Sequence, residues 1–223
     1  KVEFIKNDLL IFLEKKSKNL KIREVNFIKN TQLVNSVHNL KNWPLLKKLQ
    51  SQKKIINLAR IFLDEKVRKF GAELFAKPPK IGLASPMHQD NYYWNTNGKG
   101  LTIWIALDRS NKSNGAVSYY KKSQQLGLLD HKLSMVPGSS QKVKNIKKLN
   151  KFKIKTPKLD PGDALIHDSL IVHGSKKNTS KKSRAGLTMR YIGAKSKINY
   201  LLKKKYEKQL KKQLTLLNKN AGF

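Results

Sequence analysis

Three side chains have the types and the spacing of a metal site. His88 and Asp90, in the segment SPMHQDNYYW, are separated by one residue, so on an extended strand their side chains leave the same face and can converge on one ion. His173, in LIVHGS, follows Asp90 by 83 residues and is the candidate second imidazole. Two imidazole nitrogens and one carboxylate on one face of an octahedron form the donor set of oxygen-activating iron(II) sites. A His-x-Asp triplet alone is equally compatible with a structural hydrogen-bonding role.

A permanently charged residue, Arg184, lies eleven residues after His173, between a polar loop and the apolar strand RAGLTMRY. A hairpin of that size can return the chain beside its own start, so Arg184 can face the same cavity as His173. The planar guanidinium suits a carboxylate held through two parallel hydrogen bonds. This spacing predicts a site for a dicarboxylic keto acid whose keto end binds the metal. The alternative for Arg184 is a surface cation in a lysine-rich loop.

Another histidine, His167, competes with His173 for the role of distal ligand, because it precedes His173 by six residues and also follows a strand. The HGS context and the spacing to the downstream arginine favour His173. For His167 we predict a hydrogen-bonding role behind the ligands, since metal-bound groups need outer partners of this kind. His131 and Asp130 are candidates for the substrate mouth, and His38 is assigned no role.

The elements that must position these residues change in character near residue 70. Over 1–69, apolar residues recur at three- and four-residue steps, which predicts an N-terminal helical part. Over 70–195, short runs rich in β-branched and aromatic residues alternate with Asn-Gly and Pro-Gly turns, which is typical of an antiparallel jelly roll. Over 196–223, an apolar stripe on a basic stretch predicts a C-terminal helix that packs on the barrel, through Leu202, Tyr206, Leu210, Leu214 and Leu217.

Length and composition limit the class of protein. With 223 residues the chain fits one domain, 1–223. Cysteine is absent, so a bound metal has only nitrogen and oxygen ligands, and we expect a reducing, cytoplasmic setting. No apolar run approaches the roughly 18 residues of a transmembrane helix, and the N-terminal segment lacks the pattern of a signal peptide. We therefore expect no membrane span.

The formal charge of +34, from 48 basic and 14 acidic residues, is the dominant feature of the composition. By itself it suggests a nucleic acid or an anionic membrane surface as partner. Only six of the basic residues are arginine, however, and the lysines are spread over every segment. We therefore expect a solvated lysine surface and no specific nucleic acid. The alternative is a basic nucleic-acid or membrane-surface binding protein with a vestigial metal site.

Taken together, the motifs resemble one family. Residues 77–191 contain KPP, HQD, the strand LTIWIALD, the turn SNGAVSYY, GLLDH and PGDALIHDSLIVHGS, followed by the arginine eleven residues past the distal histidine. In this order and at these spacings they resemble the phytanoyl-CoA dioxygenase family of iron(II)- and 2-oxoglutarate-dependent oxygenases. One departure is KKSQQLG, where the family usually has a Gly-Ser-His or similar turn before GLLDH.

The resemblance implies a mainly β fold with flanking helices (α+β), a cupin-like double-stranded β-helix. It also implies Fe(II), 2-oxoglutarate and O2 as cofactors, with no catalytic side chain beyond the metal centre. Its site residues map here onto His88, Asp90 and His173 as metal ligands and Arg184, Gln89 and Trp104 as contacts of the co-substrate.

The activity implied is hydroxylation of an aliphatic carbon of a small-molecule substrate, with release of succinate and CO2. Asp90 favours hydroxylation over halogenation, because related halogenating enzymes lack that carboxylate. Lys77, Lys80 and Lys99 make an anionic substrate one option. A third reading, a cupin that works without 2-oxoglutarate, leaves Arg184 without a purpose.

Overall fold

The computed structural model describes residues 1–17 and 24–220. Three helices and two short strands come first, in the order α1 (Val2–Ser17), β1 (Val25–Phe27), β2 (Val34–Val37), α2 (Pro44–Gln50) and α3 (Lys53–Leu63). The helical prediction for 1–69 therefore fails between Val25 and Val37. These residues form a hairpin that extends the edge of the large sheet, with Val37 opposite Leu74, so long-range pairing overrides the local spacing of apolar residues.

The remaining elements alternate short strands with turns, as the sequence texture predicts. They are β3 (Val67–Lys77), β4 (Ser85–His88), α4 (Asp90–Trp94), β5 (Gly100–Ala106), β6 (Val117–Tyr120), β7 (His131–Val136), β8 (Ser139–Val143), β9 (Ile154–Lys155), β10 (Ala164–Asp168), β11 (His173–Ser175), β12 (Arg184–Gly193) and α5 (Tyr200–Asn220).

The strands form two main antiparallel sheets around a cavity. The large sheet has the order β1-β2-β3-β12-β5-β10 and the small sheet the order β4-β11-β6-β9, while β7 and β8 form a separate hairpin. Strands distant in sequence lie side by side, as β12 does between β3 and β5. This is the predicted cupin-like double-stranded β-helix, with helices before and after it.

Alternation along β12 separates the hydrophobic core from the cavity. Leu187, Met189 and Tyr191 are fully buried in a core shared with the N-terminal helices. Arg184 and Arg190, on the opposite face of the strand, line the cavity. Because successive side chains of a strand point to opposite faces, β12 joins the core to the polar interior of the barrel.

The C-terminal helix α5 lies over the cavity. Gln213 is buried, and its Nε2 donates to the carbonyl oxygens of Ser134 (2.8 Å) and Val136 (3.0 Å) on β7. The Tyr92 hydroxyl donates to Gln209 Oε1 at 3.2 Å. The predicted apolar stripe is half-buried along its length. Within the described parts of the chain, no helix is both long and apolar enough to cross a membrane.

Candidate metal centre

The ends of two paired strands and the start of a helix bring His88, Asp90 and His173 together. His88 ends β4 and lies opposite His173 of β11, and Asp90 is the first residue of α4. Gln89 between them is still extended (φ −118, ψ 132), so His88 and Asp90 keep the same-face relationship although the strand has ended. One ligand atom from each of the three residues lies within 4.8 Å of the other two.

Both histidines are oriented by backbone carbonyl groups. His88 Nδ1 lies 2.7 Å from the Pro86 oxygen, and His173 Nδ1 lies 3.1 Å from the Ile171 oxygen. A carbonyl oxygen only accepts, so Nδ1 carries the proton in each ring and Nε2 of the neutral ring has a free lone pair. Burial and the neighbouring His88 lower the pKa of His173 to about 3, which keeps it neutral.

The two carboxylate oxygens of Asp90 have different partners. Oδ2 accepts a hydrogen bond from Thr102 Oγ1 (2.6 Å) and lies 3.2 Å from His167 Nε2. Oδ1 lies 3.7 Å from Nε2 of His88 and of His173. Burial opposes ionisation, but the surrounding histidines hold the pKa of Asp90 well below its ordinary value. Two imidazole nitrogens and one carboxylate oxygen thus converge, which is an arrangement that a cation stabilises.

His167 lies behind the cluster and not within it. Its Nε2 faces Asp90 Oδ2, and its Nδ1 lies 3.1 Å from the Tyr119 hydroxyl, which can donate to it. The ring therefore links a buried tyrosine to the carboxylate. This is the hydrogen-bonding position that we expected for His167.

The cluster opens into a cavity of about 840 Å³. Its walls come from both sheets, from α4 and from one face of α5, which contributes Tyr206, Glu207, Leu210, Lys211, Gln213 and Leu214. Tyr93 of α4 packs edge-on against His88 and against Tyr206, with ring centroids 5.5 and 5.6 Å apart. The cavity thus places an aromatic wall beside the candidate metal ligands and a helix above them.

Arg184 and Trp104 occupy one end of the cavity. Arg184 is fully buried, and its Nε and Nη2 donate to the Gly115 oxygen at 3.2 and 2.7 Å. The guanidinium carbon lies 5.4 Å from the Trp104 ring centroid. A Cβ at Gly186 would collide with that ring, so glycine leaves the space that the indole fills. Burial lowers the pKa of Arg184 to about 10, so the guanidinium stays charged at neutral pH.

Gln89 does not line the cavity, contrary to the expectation from the resemblance. It is fully buried, its Nε2 donates to the oxygens of Gly127 (2.8 Å) and Leu170 (2.6 Å), and its Oε1 accepts from the Leu129 amide at 2.7 Å. Gln89 follows His88 in extended backbone, so its side chain leaves the opposite face of the chain. Its contacts hold two loops together behind the site.

His131 and Asp130 also lie away from the predicted substrate mouth. His131 is buried. Its Nε2 accepts a hydrogen bond from the main-chain N–H of Gln89 at 3.1 Å, and its Nδ1 lies 2.9 Å from the Leu129 oxygen. Its ring stacks on Tyr92 with a centroid distance of 4.2 Å. Asp130 is exposed. His131 therefore belongs to the packing behind α4, and neither residue lines the cavity.

Several cavity residues were missed in the sequence. Thr102 lies two positions before Trp104 on β5, and Arg190 lies six positions after Arg184 on β12. Even spacing along a strand places each on the same face as the residue that was identified. The alternation of side chains along a strand could therefore have identified both residues. No sequence pattern indicated that α5 would cover the cavity.

Comparison with known proteins identifies relatives of the chain. The family model described as "Phytanoyl-CoA dioxygenase (PhyH)" matches residues 12–186. The curated protein named "Probable alpha-ketoglutarate-dependent hypophosphite dioxygenase" from Stutzerimonas stutzeri is 35% identical over 85 residues, 38% of this chain and 29% of the relative. The "Probable phytanoyl-CoA dioxygenase" of Caenorhabditis elegans is 24% identical over 127 residues, 53% of this chain and 40% of the relative. The chain thus spans less than half the length of either relative.

Solved structures share the architecture. EctD from S. alaskensis with bound Fe superposes with a TM-score of 0.71 at 18% identity, covering 89% of this chain and 70% of EctD. The non-heme alpha ketoglutarate dependent carbocyclase SnoK from nogalamycin biosynthesis superposes with a TM-score of 0.69 at 19% identity, covering 89% of this chain and 77% of SnoK. At these identities the likeness shows the fold.

Proposed function

The chain belongs to the phytanoyl-CoA dioxygenase family, and from that membership we propose that it is an iron(II)- and 2-oxoglutarate-dependent oxygenase. The observation that carries the proposal is the convergence of two imidazole nitrogens and one carboxylate oxygen on a single point. His88, Asp90 and His173 would hold the metal. This donor set fits iron(II) and leaves positions for co-substrate and dioxygen.

Arg184 would bind the far carboxylate of 2-oxoglutarate. Two of its nitrogens share the Gly115 oxygen, which fixes the plane of the guanidinium against Trp104. Nη1 has no protein partner among the described residues and is left for a ligand. A fixed, charged fork selects a carboxylate at a defined distance from the metal.

The bound iron centre would supply the activation of dioxygen, coupled to oxidative decarboxylation of the keto acid. In the overall balance, a substrate C–H bond, 2-oxoglutarate and O2 become C–OH, succinate and CO2. The chain's own part is positional. Thr102 and His167 orient Asp90, Arg184 orients the keto acid, and α5 shields the chamber from water. The carboxylate of Asp90 occupies the place that halide would need, which favours hydroxylation.

The cavity is large enough for an organic substrate beside the co-substrate. Its volume of about 840 Å³ lies within the range of sites for drug-sized ligands. Of the three lysines considered for an anionic group, Lys80 and Lys99 are exposed and Lys77 is buried, with its side-chain nitrogen donating to the Leu83 oxygen. None of the three lines the cavity. They therefore give no support for an anionic substrate.

The test is turnover of 2-oxoglutarate by the purified protein, reconstituted with iron(II) under anaerobic conditions and then exposed to oxygen. Succinate should form slowly without substrate and faster when a metabolite screen supplies one. Zinc(II) in place of iron(II) and the His173→Ala variant are the controls. No succinate above the protein-free blank, together with no anaerobic charge-transfer band on addition of 2-oxoglutarate, would refute the proposal.

A further inference from the structure

A second cluster of ionisable side chains lines the cavity on the wall formed by β3 and β12. Arg190 Nη2 forms an ion pair with Glu73 Oε2, and both side chains are 15% exposed. His38 Nδ1 lies 2.8 Å from Glu73 Oε1, and His38 Nε2 lies 3.1 Å from the Ser36 hydroxyl. Arg190, Glu73 and His38 all face the cavity. Neither the proposed metal site nor the 2-oxoglutarate site uses them.

This cluster adjoins the candidate metal centre. Arg190 is the cross-strand neighbour of Thr102, whose hydroxyl donates to Asp90. The Arg190 guanidinium carbon also lies 5.8 Å from the ring centroid of Trp94, on the helix that Asp90 begins. Arg184 lies six residues earlier on the same face of β12. The two arginines therefore line the cavity at different positions along one strand, and Tyr206 of α5 lines the same cavity.

The ion pair has unused hydrogen-bonding capacity. A guanidinium has five donor hydrogens, and in residues 1–17 and 24–220 the only protein acceptor of Arg190 is Glu73. Its Nε and Nη1 are left for a ligand. Each Glu73 oxygen has one protein partner and can accept a second hydrogen bond. The wall thus offers donors and acceptors side by side.

The charges of the cluster already balance. Arg190 contributes one positive charge and Glu73 one negative charge, while burial and the nearby guanidinium lower the pKa of His38 to about 4 and keep it neutral. An anion or a cation bound here would add an uncompensated charge in a buried place, which is costly. A ligand that carries both charges on neighbouring atoms satisfies both partners and leaves the sum at zero.

We propose that Arg190 and Glu73 form a recognition subsite for a net-neutral, zwitterionic substrate. The substrate carboxylate would lie on the free nitrogens of Arg190 and its ammonium group on Glu73, as in an α-amino acid or an N-alkylated or cyclic relative. The inference rests on the proposed oxygenase function and names its substrate class.

The first experiment uses the wild-type protein loaded anaerobically with iron(II) and 2-oxoglutarate. Three matched ligand sets are compared by thermal shift and, in air, by succinate formation: free α-amino acids, their deaminated carboxylates, and their methyl esters. At least one zwitterion should raise both readouts, with its two counterparts needing about tenfold or more higher concentration, since each lacks one charge-assisted partner. A best response from the carboxylates or the esters, or no response to any zwitterion, overturns the subsite.

The second experiment tests whether Glu73 binds the ammonium group of the substrate. Glu73→Gln should reduce the preference for a zwitterion over its deaminated carboxylate to a ratio close to one. Glu3→Gln, at an exposed carboxylate outside the cavity, should keep the wild-type ratio. An unchanged ratio in Glu73→Gln contradicts the proposal, and the wild-type ligand series decides it alone if the variant does not fold. Slow iron-dependent turnover of 2-oxoglutarate without substrate distinguishes failure of the subsite from failure of the oxygenase function.

Discussion

The Thr102 hydroxyl donates to Asp90 Oδ2 at 2.6 Å and so determines which carboxylate oxygen faces the two histidines. Oδ1 is left 3.7 Å from Nε2 of His88 and of His173. Thr102 lies on β5 of the large sheet, whereas both histidines lie on the small sheet. The hydrogen bond therefore joins the large sheet to the first residue of α4, at the point where we place the metal.

Replacing Thr102 by valine should weaken metal binding by about ten- to a hundredfold, the usual effect of losing an outer partner of a metal ligand. Thr102→Val keeps the shape of the side chain but frees Asp90 to rotate. Anaerobic titration with iron(II), or with manganese(II), measures the change. Thr96→Val is the matched control, because it removes a buried hydrogen bond to Asn91 on the same helix without touching a ligand. Equal affinities in wild type and Thr102→Val would show that Asp90 needs no such support.

Removing His173 should abolish binding of iron(II) and turnover of 2-oxoglutarate, while removing His167 should only weaken them. His173→Ala deletes one of three donors, whereas His167→Gln leaves the donor set intact and keeps a group that can donate to Asp90. Far-ultraviolet circular dichroism checks that both variants fold. Retained activity in His173→Ala, with loss in His167→Gln, would exchange the roles of the two histidines.

Local patterns in the sequence were sufficient for residues whose geometry depends on one strand or one pairing. His88 and Asp90 lie on one face because one extended residue separates them, and Arg184 faces the cavity because β12 alternates. Gln89 shows where the resemblance misled. Its position between two inward-facing residues already indicated the opposite face, and the structure engages its amide group in three backbone hydrogen bonds.

Features that depend on long-range packing were not accessible in this way. The strands β1 and β2 exist because the edge of β3 pairs with them, and no local periodicity marks that edge. The pairing of Glu73 with Arg190 joins residues 117 positions apart on neighbouring strands. The apolar stripe predicted α5 and its packing, but not that its face would form part of the cavity wall.

Arg184→Ala should weaken the apparent affinity for 2-oxoglutarate. Loss of a charge-assisted, bidentate partner in a buried site costs on the order of 2 to 4 kcal/mol, or roughly 30- to 1,000-fold. Arg184→Lys should recover only part of the loss, since an ammonium group cannot form the fork. Arg109→Ala, at an exposed arginine that pairs with Asp160, serves as the control. An unchanged affinity in Arg184→Ala would remove this residue from the site.

The stability of the metal-free protein should fall with acid through His131. Burial lowers the pKa of His131 to about 4 from an ordinary value of 6.5. A neutral ring is consistent with its Nε2, which accepts a hydrogen bond from the main-chain N–H of Gln89. Between these pH values the unfolded chain binds a proton that the folded chain does not. The contribution of His131 to the free energy of unfolding is therefore fully present above pH 6.5 and decreases until about pH 4. This histidine should contribute a loss of about 2 kcal/mol between pH 7 and 5.

Urea unfolding of wild type and His131→Gln across this range measures that contribution. The chelator present in both samples removes bound metal, so the other histidines contribute equally and cancel in the difference. The variant should show a shallower decrease with acid. Parallel curves for the two proteins would mean that His131 is protonated in the folded state.

Leu210→Trp should narrow the chamber from the side of α5. Leu210 lies on the helix face that lines the cavity, and overpacking a filled site costs about 1 to 3 kcal/mol, or roughly five- to 150-fold in binding. The KM of a substrate found in the screen should rise accordingly, while anaerobic binding of 2-oxoglutarate at the Arg184 end changes little. Leu201→Trp is the matched control, because Leu201 is on the same helix and 83% exposed. Equal KM values in the two tryptophan variants would mean that the substrate does not reach α5.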